Sequence, residues 1–133
     1  MTEVEREQLA LTALLLDQGR FAHALAVALT ALAAALALAG RGSPWGFAVI
    51  GVGLLELYLA ARVGLDAALL RRLATEPRSA AHFDPAMRAL DLLPESKTGR
   101  PWAVRCRGAK RLLVAQGLAV TAQCALAAGS AIL

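Results

Sequence analysis

Hydrophobic positions in this chain run together instead of alternating with polar ones. Residues 21–40, FAHALAVALTALAAALALAG, contain no Asp, Glu, Lys or Arg, and neither do residues 112–133. Between them, residues 46–73 form a third apolar run that carries Glu56, Arg62 and Asp66 inside it. About 20 mostly apolar residues suffice to cross a bilayer as a helix, and a chain of 133 residues is too short to wrap such helices on all sides in a soluble core. The pattern predicts an all-α polytopic membrane protein with three transmembrane helices.

The flanks are amphipathic. Thr2 and Glu5 have the capping-box spacing, which starts a helix at about Glu3. Leu9, Leu11, Leu14, Leu15 and Leu16 give that helix an apolar side before Asp17, Gln18, Gly19 and Arg20 interrupt it. Residues 1–20 therefore read either as an interfacial helix on the cytoplasmic face or as an extension of the first span, with any bend at Gly19. After the hairpin of spans over 21–73, the segment 74–108 is a basic loop. Glu76, Pro77 and Arg78 close the second span. Asp84 as N-cap, Pro85 at the first helical position and Phe83 packing back predict a short helix, with Ala86, Met87, Leu90 and Leu93 on one face and Pro94 as its stop. Residues 109–133 are the third span.

Composition agrees: 58% of residues are hydrophobic, 5% aromatic and 18% charged, too apolar for an ordinary soluble domain. The net charge of +4 is uneven. Residues 67–111 hold ten Lys or Arg against four Asp or Glu, whereas residues 1–20 hold two against four. Basic residues that flank spans set topology, so no nucleic-acid partner is expected. The basic loop and the N-terminus are expected in the cytoplasm and the C-terminus in the periplasm of a bacterial inner membrane, the Ala-, Leu-, Gly- and Arg-rich composition pointing to a GC-rich genome. The acidic start is unlike a cleavable signal, so Met1 is expected in the mature protein. Cys106 and Cys124 lie about 27 Å apart along one helix, beyond disulfide reach, and both are expected as free thiols.

Ionisable groups inside a span default to functional or assembly sites. Placing residues by depth along each span gives a central layer of Glu56, Gln123, Thr30 and Thr121, and a cytoplasmic-side layer of His23, Arg62, Asp66, Gln116 and Tyr58. Tyr58, Arg62 and Asp66 share one helical face, which makes Arg62–Asp66 a candidate buried pair, while Glu56 points elsewhere and needs another partner. In the third span Gln116, Gln123 and Ser130 repeat at seven, and Gly117, Thr121, Ala125 and Gly129 repeat at four as a ladder of small residues. Two faces suited to two different neighbours suggest a homo-oligomer or a larger membrane complex. Trp102, Arg105, Arg107, Lys110 and Arg111 form a collar suited to lipid headgroups and topology. No second His or Cys stands at ligand spacing from His23, and neither metal nor cofactor is expected.

The reading that follows is a small integral accessory or assembly subunit, more in keeping with a non-enzyme than an enzyme. Two alternatives remain open: a lipid-modifying enzyme of phosphotransferase type, and a small proton or ion conductor using Glu56. Bacterial diacylglycerol kinase has a similar overall plan, and the stretch from Glu56 to Asp66 resembles its acidic second span. This chain has Leu59, Ala60, Ala61 and Val63 where that family places an Asn and a further Glu. The likeness is one of architecture, without the metal–phosphate ligands.

Overall fold

The computed structural model describes residues 1–76, 79–91 and 94–132, and everything described is helical or connecting turn, with no strand. Helix α1 spans Glu3–Asp17, α2 Gly19–Leu36, α3 Pro44–Thr75, α4 Ser79–Ala89 and α5 Trp102–Ile132. The capping box forms, the Glu5 amide donating to Thr2 Oγ1 and the Thr2 amide to Glu5 Oε2. A π-helical turn, Ala37–Arg41, ends the first long helix, with Gly40 at φ 73°, a backbone conformation open to glycine at no steric cost. Ser43 caps α3 by accepting from the Gly46 amide, and Pro44 takes the first helical position. The readings on Pro77, Arg78, Leu93 and Leu133, and on the Ser130 side chain, lie outside the described residues.

Three helices are long and apolar enough to cross a membrane: the combined Glu3–Arg41 rod, α3, and α5. At 1.5 Å per residue, the rods are roughly 46 Å long or more, which exceeds a hydrocarbon core of about 30 Å. Their outer surfaces are apolar, with Leu32, Leu54, Leu57, Val114 and Leu118 all more than half exposed, while Glu56, Gln116 and Gln123 are buried inside. Polar side chains within and leucines without is an arrangement that a lipid surround stabilises and water does not.

What holds the rods together is a repeat of alternating four- and three-residue steps. Positions 9, 12, 16, 19, 23, 26, 30 and 33 face inward from α1 and α2, 49, 53, 56, 60, 63, 67, 70 and 74 from α3, and 106, 109, 113, 116, 120, 123 and 127 from α5. A mean spacing of 3.5 residues is that of a coiled-coil seam. Because the repeat crosses the Gln18–Gly19 joint without losing phase, α1 continues the line of α2. Gln18 keeps helical dihedrals there. Helix α1 packs on α3 and α5, and Leu9, Ala13 and Leu16 join Val63, Ala67, Leu70, Leu73, Cys106 and Ala109 in one apolar core. Asp17 and Arg71 form an ion pair across α1 and α3.

Helix α4 departs from expectation. It starts at Ser79, so Asp84 and Pro85 lie inside it and Asp84 is not its N-cap. The Asp84 carboxylate is instead held by Arg105, whose Nη2 donates to Oδ1 at 2.7 Å, and by the Gly99 amide, which donates to Oδ2 at 2.8 Å. Nor does the face of Ala86, Met87 and Leu90 turn inward: Leu90 and Ala86 are exposed, and Phe83 and Met87 are half-buried. Phe83 meets Trp102 edge to face at 6.0 Å, and the Arg105 guanidinium lies over both rings. Arg105 is thus the tether of α4 to α5. Arg105→Ala is expected to cost the α4 attachment about 1–2 kcal/mol; amide hydrogen exchange should accelerate over 79–89 and stay unchanged at the seam positions of α3 and α5.

Candidate functional site

The interior of the bundle holds two polar storeys one heptad apart. In the first, α2, α3 and α5 converge on Glu56, which is 1% exposed. His23 Nδ1 lies 2.9 Å from Glu56 Oε2, and Gln116 Nε2 donates to Glu56 Oε1 at 2.7 Å and to the Gly19 carbonyl at 3.1 Å. In the second, Gln123 Nε2 stands 2.8 Å from Thr30 Oγ1, 3.2 Å from the Ala26 carbonyl and 3.3 Å from the Val49 carbonyl. An amide has two hydrogens to share among these three acceptors. Thr30 in turn donates to the Ala26 carbonyl at 2.8 Å. Gln116 Oε1 and Gln123 Oε1 are buried without a partner.

The storeys repeat because the helices do. Gln116 reaches Gly19 and Gln123 reaches Ala26, both 97 residues away, so α2 and α5 run parallel in fixed register. As the number rises by seven on α5, from Gln116 to Gln123, it falls by seven on α3, from Glu56 to Val49, so α3 is antiparallel. A one-step slip of any helix separates every one of these pairs, and buried polar residues at seam positions are a known means of fixing register.

The depth layers expected from the sequence are corrected by one heptad. Glu56 meets Gln116 and His23, and Gln123 meets Thr30 without a carboxylate. The cause is the true length of the rods: α3 is centred near residue 60 and α5 near residue 117, whereas counting only the apolar runs centres them near 56 and 122. Thr121 belongs to neither storey; it is exposed and donates to the Gly117 carbonyl at 2.9 Å.

Arg62 and Asp66 form no ion pair within 4.0 Å, and the buried pair expected of them is absent. Arg62 is exposed and Asp66 half-buried, both at the wall of a cavity of about 180 Å³ under α4 that Phe83, Met87, Trp102 and Arg105 also line. Tyr58, though it shares their helix, is 62% exposed on the outer surface. Of the collar, Trp102 and Arg105 turn inward, and Arg107, Lys110 and Arg111 are exposed. The small ladder lies outside: Gly117, Thr121 and Ala125 are exposed and Gly129 half-buried, while both glutamines point in. Cys106 and Cys124 are free thiols. No group of three or more metal-ligating side chains occurs among the described residues.

The residue that sequence reasoning missed is Gly53. A Cβ there would stand 2.0 Å from Thr30 Oγ1 and 2.9 Å from Gln123 Nε2, so the second storey exists only because this position has no side chain. Its signal was available in its spacing, three residues before Glu56 and four after Val49 on the seam. No protein-family model matches the chain, and no curated protein or solved structure matches it.

Proposed function

We propose that this chain is a small integral subunit of a bacterial inner membrane, N-terminus in the cytoplasm and C-terminus in the periplasm, that assembles with copies of itself or with a larger membrane complex. The observation that supports this is the division of labour on α5. Its glutamines are spent on the chain's own register, so they are not available to a partner. Its ladder of Gly117, Thr121 and Ala125 is left facing out, on the same outer surface as Val114 and Leu118, which are 62% and 66% exposed. Small residues in such a row let a second helix backbone approach closely, and close packing is the main attraction between helices in lipid. The excess of Lys and Arg in residues 67–111 supports the orientation. Glu56 faces the axis of its own bundle, which argues against its lining a pore between copies.

Gly117→Leu combined with Ala125→Leu tests the reading without disturbing the protomer, since nothing lies within 4 Å of a Cβ at Gly117. Native mass spectrometry after gentle extraction from the host membrane is expected to show an assembly for the wild type and, for the double variant, affinity reduced by at least about tenfold, the loss of ~1.4 kcal/mol of packing. Foreign subunits at fixed stoichiometry identify an accessory component. A closed homo-oligomer without companions turns attention to an independent enzyme or channel. A wild type that is monomeric at every concentration sinks the proposal.

A further inference from the structure

His23 joins two different environments. One ring nitrogen, Nδ1, is committed to Glu56 Oε2 at 2.9 Å, inside a cluster whose carboxylate is 1% exposed. The imidazole itself is 34% exposed and lines a cavity of about 160 Å³ together with Asp17, Arg20, Gly64 and Gln116. That volume is large enough to admit water, whose share of the liquid is about 30 Å³ per molecule. The cavity lies beside the joint of α1 and α2, with Asp17, the ion-pair partner of Arg71, in its wall. Imidazole is suited to such a position because it takes a proton at one nitrogen and yields one from the other.

We propose that Glu56 is a proton-binding site loaded from one side of the bundle through His23. In the unloaded state His23 is neutral, its proton on Nδ1 and donated to the Glu56 carboxylate. Water in the cavity delivers a proton to Nε2, the Nδ1 proton moves to Glu56 Oε2, and the result is a neutral carboxylic acid donating to the other tautomer of a neutral imidazole. One proton enters and one O–H bond forms on Glu56, while His23 exchanges an N–H at Nδ1 for one at Nε2. Unloading is the reverse. Gln116 is a positioning residue: its Nε2 donates to Glu56 Oε1, which leaves Oε2 as the oxygen that receives the proton. Its own Oε1, buried and unpartnered, adds an acceptor beside the cluster.

The loading is one-sided because of what stands on the far side. The second storey of Thr30, Gln123 and the Ala26 and Val49 carbonyls contains no titratable group to carry a proton onward, and beyond it Ala33 and Val49 line a separate cavity of about 340 Å³ whose one charged group is Arg41. On the near side the charged groups that face the cavity are few. Helix α1 presents Asp17, already paired with Arg71 of α3. Helix α2 presents Arg20, stacked over Phe21 at 4.9 Å. Ala60, Val63 and Gly64 of α3 and Gln116 of α5 bring no charge.

The test is pH-jump infrared spectroscopy of the full chain in lipid nanodiscs, with ¹³C-labelled glutamate to separate Glu56 from Asp66. The other five glutamates are exposed or half-buried, so a ¹³C-shifted carboxyl band at a frequency distinct from that of hydrated carboxyls marks Glu56. The expected result is a protonated-carboxyl band that grows as pH falls, vanishes in Glu56→Gln, and rises about 10²-fold more slowly in His23→Phe with the same final amplitude. Should Glu56→Gln fail to fold, the labelled wild-type band alone still decides. A Glu56 carboxyl that stays in one protonation state across the pH range of the folded protein overturns the proposal, as does loading of His23→Phe at the wild-type rate.

Discussion

Gly53→Ala is expected to unlock the second polar storey and lower the stability of the bundle by about 2–3 kcal/mol, a large effect for one methyl group. The new carbon would sit 2.0 Å from Thr30 Oγ1 and 3.1 Å from Thr30 Cβ, so either α3 moves away from α2 or the hydroxyl rotates out. Rotation breaks two bonds at once, from Thr30 to the Ala26 carbonyl and from Gln123 to Thr30, each worth roughly 0.6–2 kcal/mol in a membrane interior. Alanine's better helix propensity returns about 1 kcal/mol at most. Reversible unfolding in mixed micelles measures the loss. The pairing is checked by the double variant: Thr30→Ala removes the atom in the way, so Gly53→Ala in that background should cost at least ~1 kcal/mol less than in the wild type. Equal costs in both backgrounds would mean that the contact is not what destabilises.

The fold was legible in the sequence at the level of apolar runs, and the site was not, for one physical reason. In a water-soluble bundle the seam is the apolar stripe and stands out against a polar surface. Here the outer surface is apolar too, with Leu54, Leu57 and Leu118 facing out, so inward leucines and valines such as Leu9, Val49 and Val63 look like outward ones, and the inward positions that differ from their neighbours do so in being small or polar: Thr12, Gly19, His23, Ala26, Thr30, Gly53, Glu56, Gln116 and Gln123. The seven-residue repeat of the glutamines is visible in one helix alone. Its counterparts, Gly19 and Ala26 on α2 and Glu56 and Val49 on α3, are recognisable only when the three are aligned. Three of them, Gly19, Ala26 and Val49, contribute backbone carbonyls, which leave no mark on residue type. Depth counting erred because it took the ends of the apolar runs for the ends of the helices, and α5 begins at Trp102, within the basic collar. Asp84–Pro85 misled for a related reason: the pair carries a strong start signal, and the Arg105 guanidinium outbids it by capturing the carboxylate for a tertiary contact.

Removing the Glu56 carboxyl altogether is expected to cost more than any other single change in the bundle. In Glu56→Ala, His23 Nδ1 loses its Glu56 partner, and of the two Gln116 N–H groups one keeps the Gly19 carbonyl and the other is left over, in a site that Glu56 no longer fills. The Gln116 N–H left over in the buried site costs about 1–3 kcal/mol, the part-exposed His23 adds less, and the cavity left by the side chain brings the expected loss to roughly 3–5 kcal/mol. Glu56→Gln keeps the volume and one acceptor oxygen, so its loss should be about 1 kcal/mol. The gap between the two variants is what separates the roles of this residue. Stability that falls steeply in Glu56→Ala and little in Glu56→Gln assigns the register of the bundle to the shape and hydrogen bonds of the side chain, and leaves its proton free for other work. Equal and small losses in both would mean that the three helices are held by the small-residue seam alone, with Gly53 and Ala26 at its closest points, and that the polar storeys are not what aligns them.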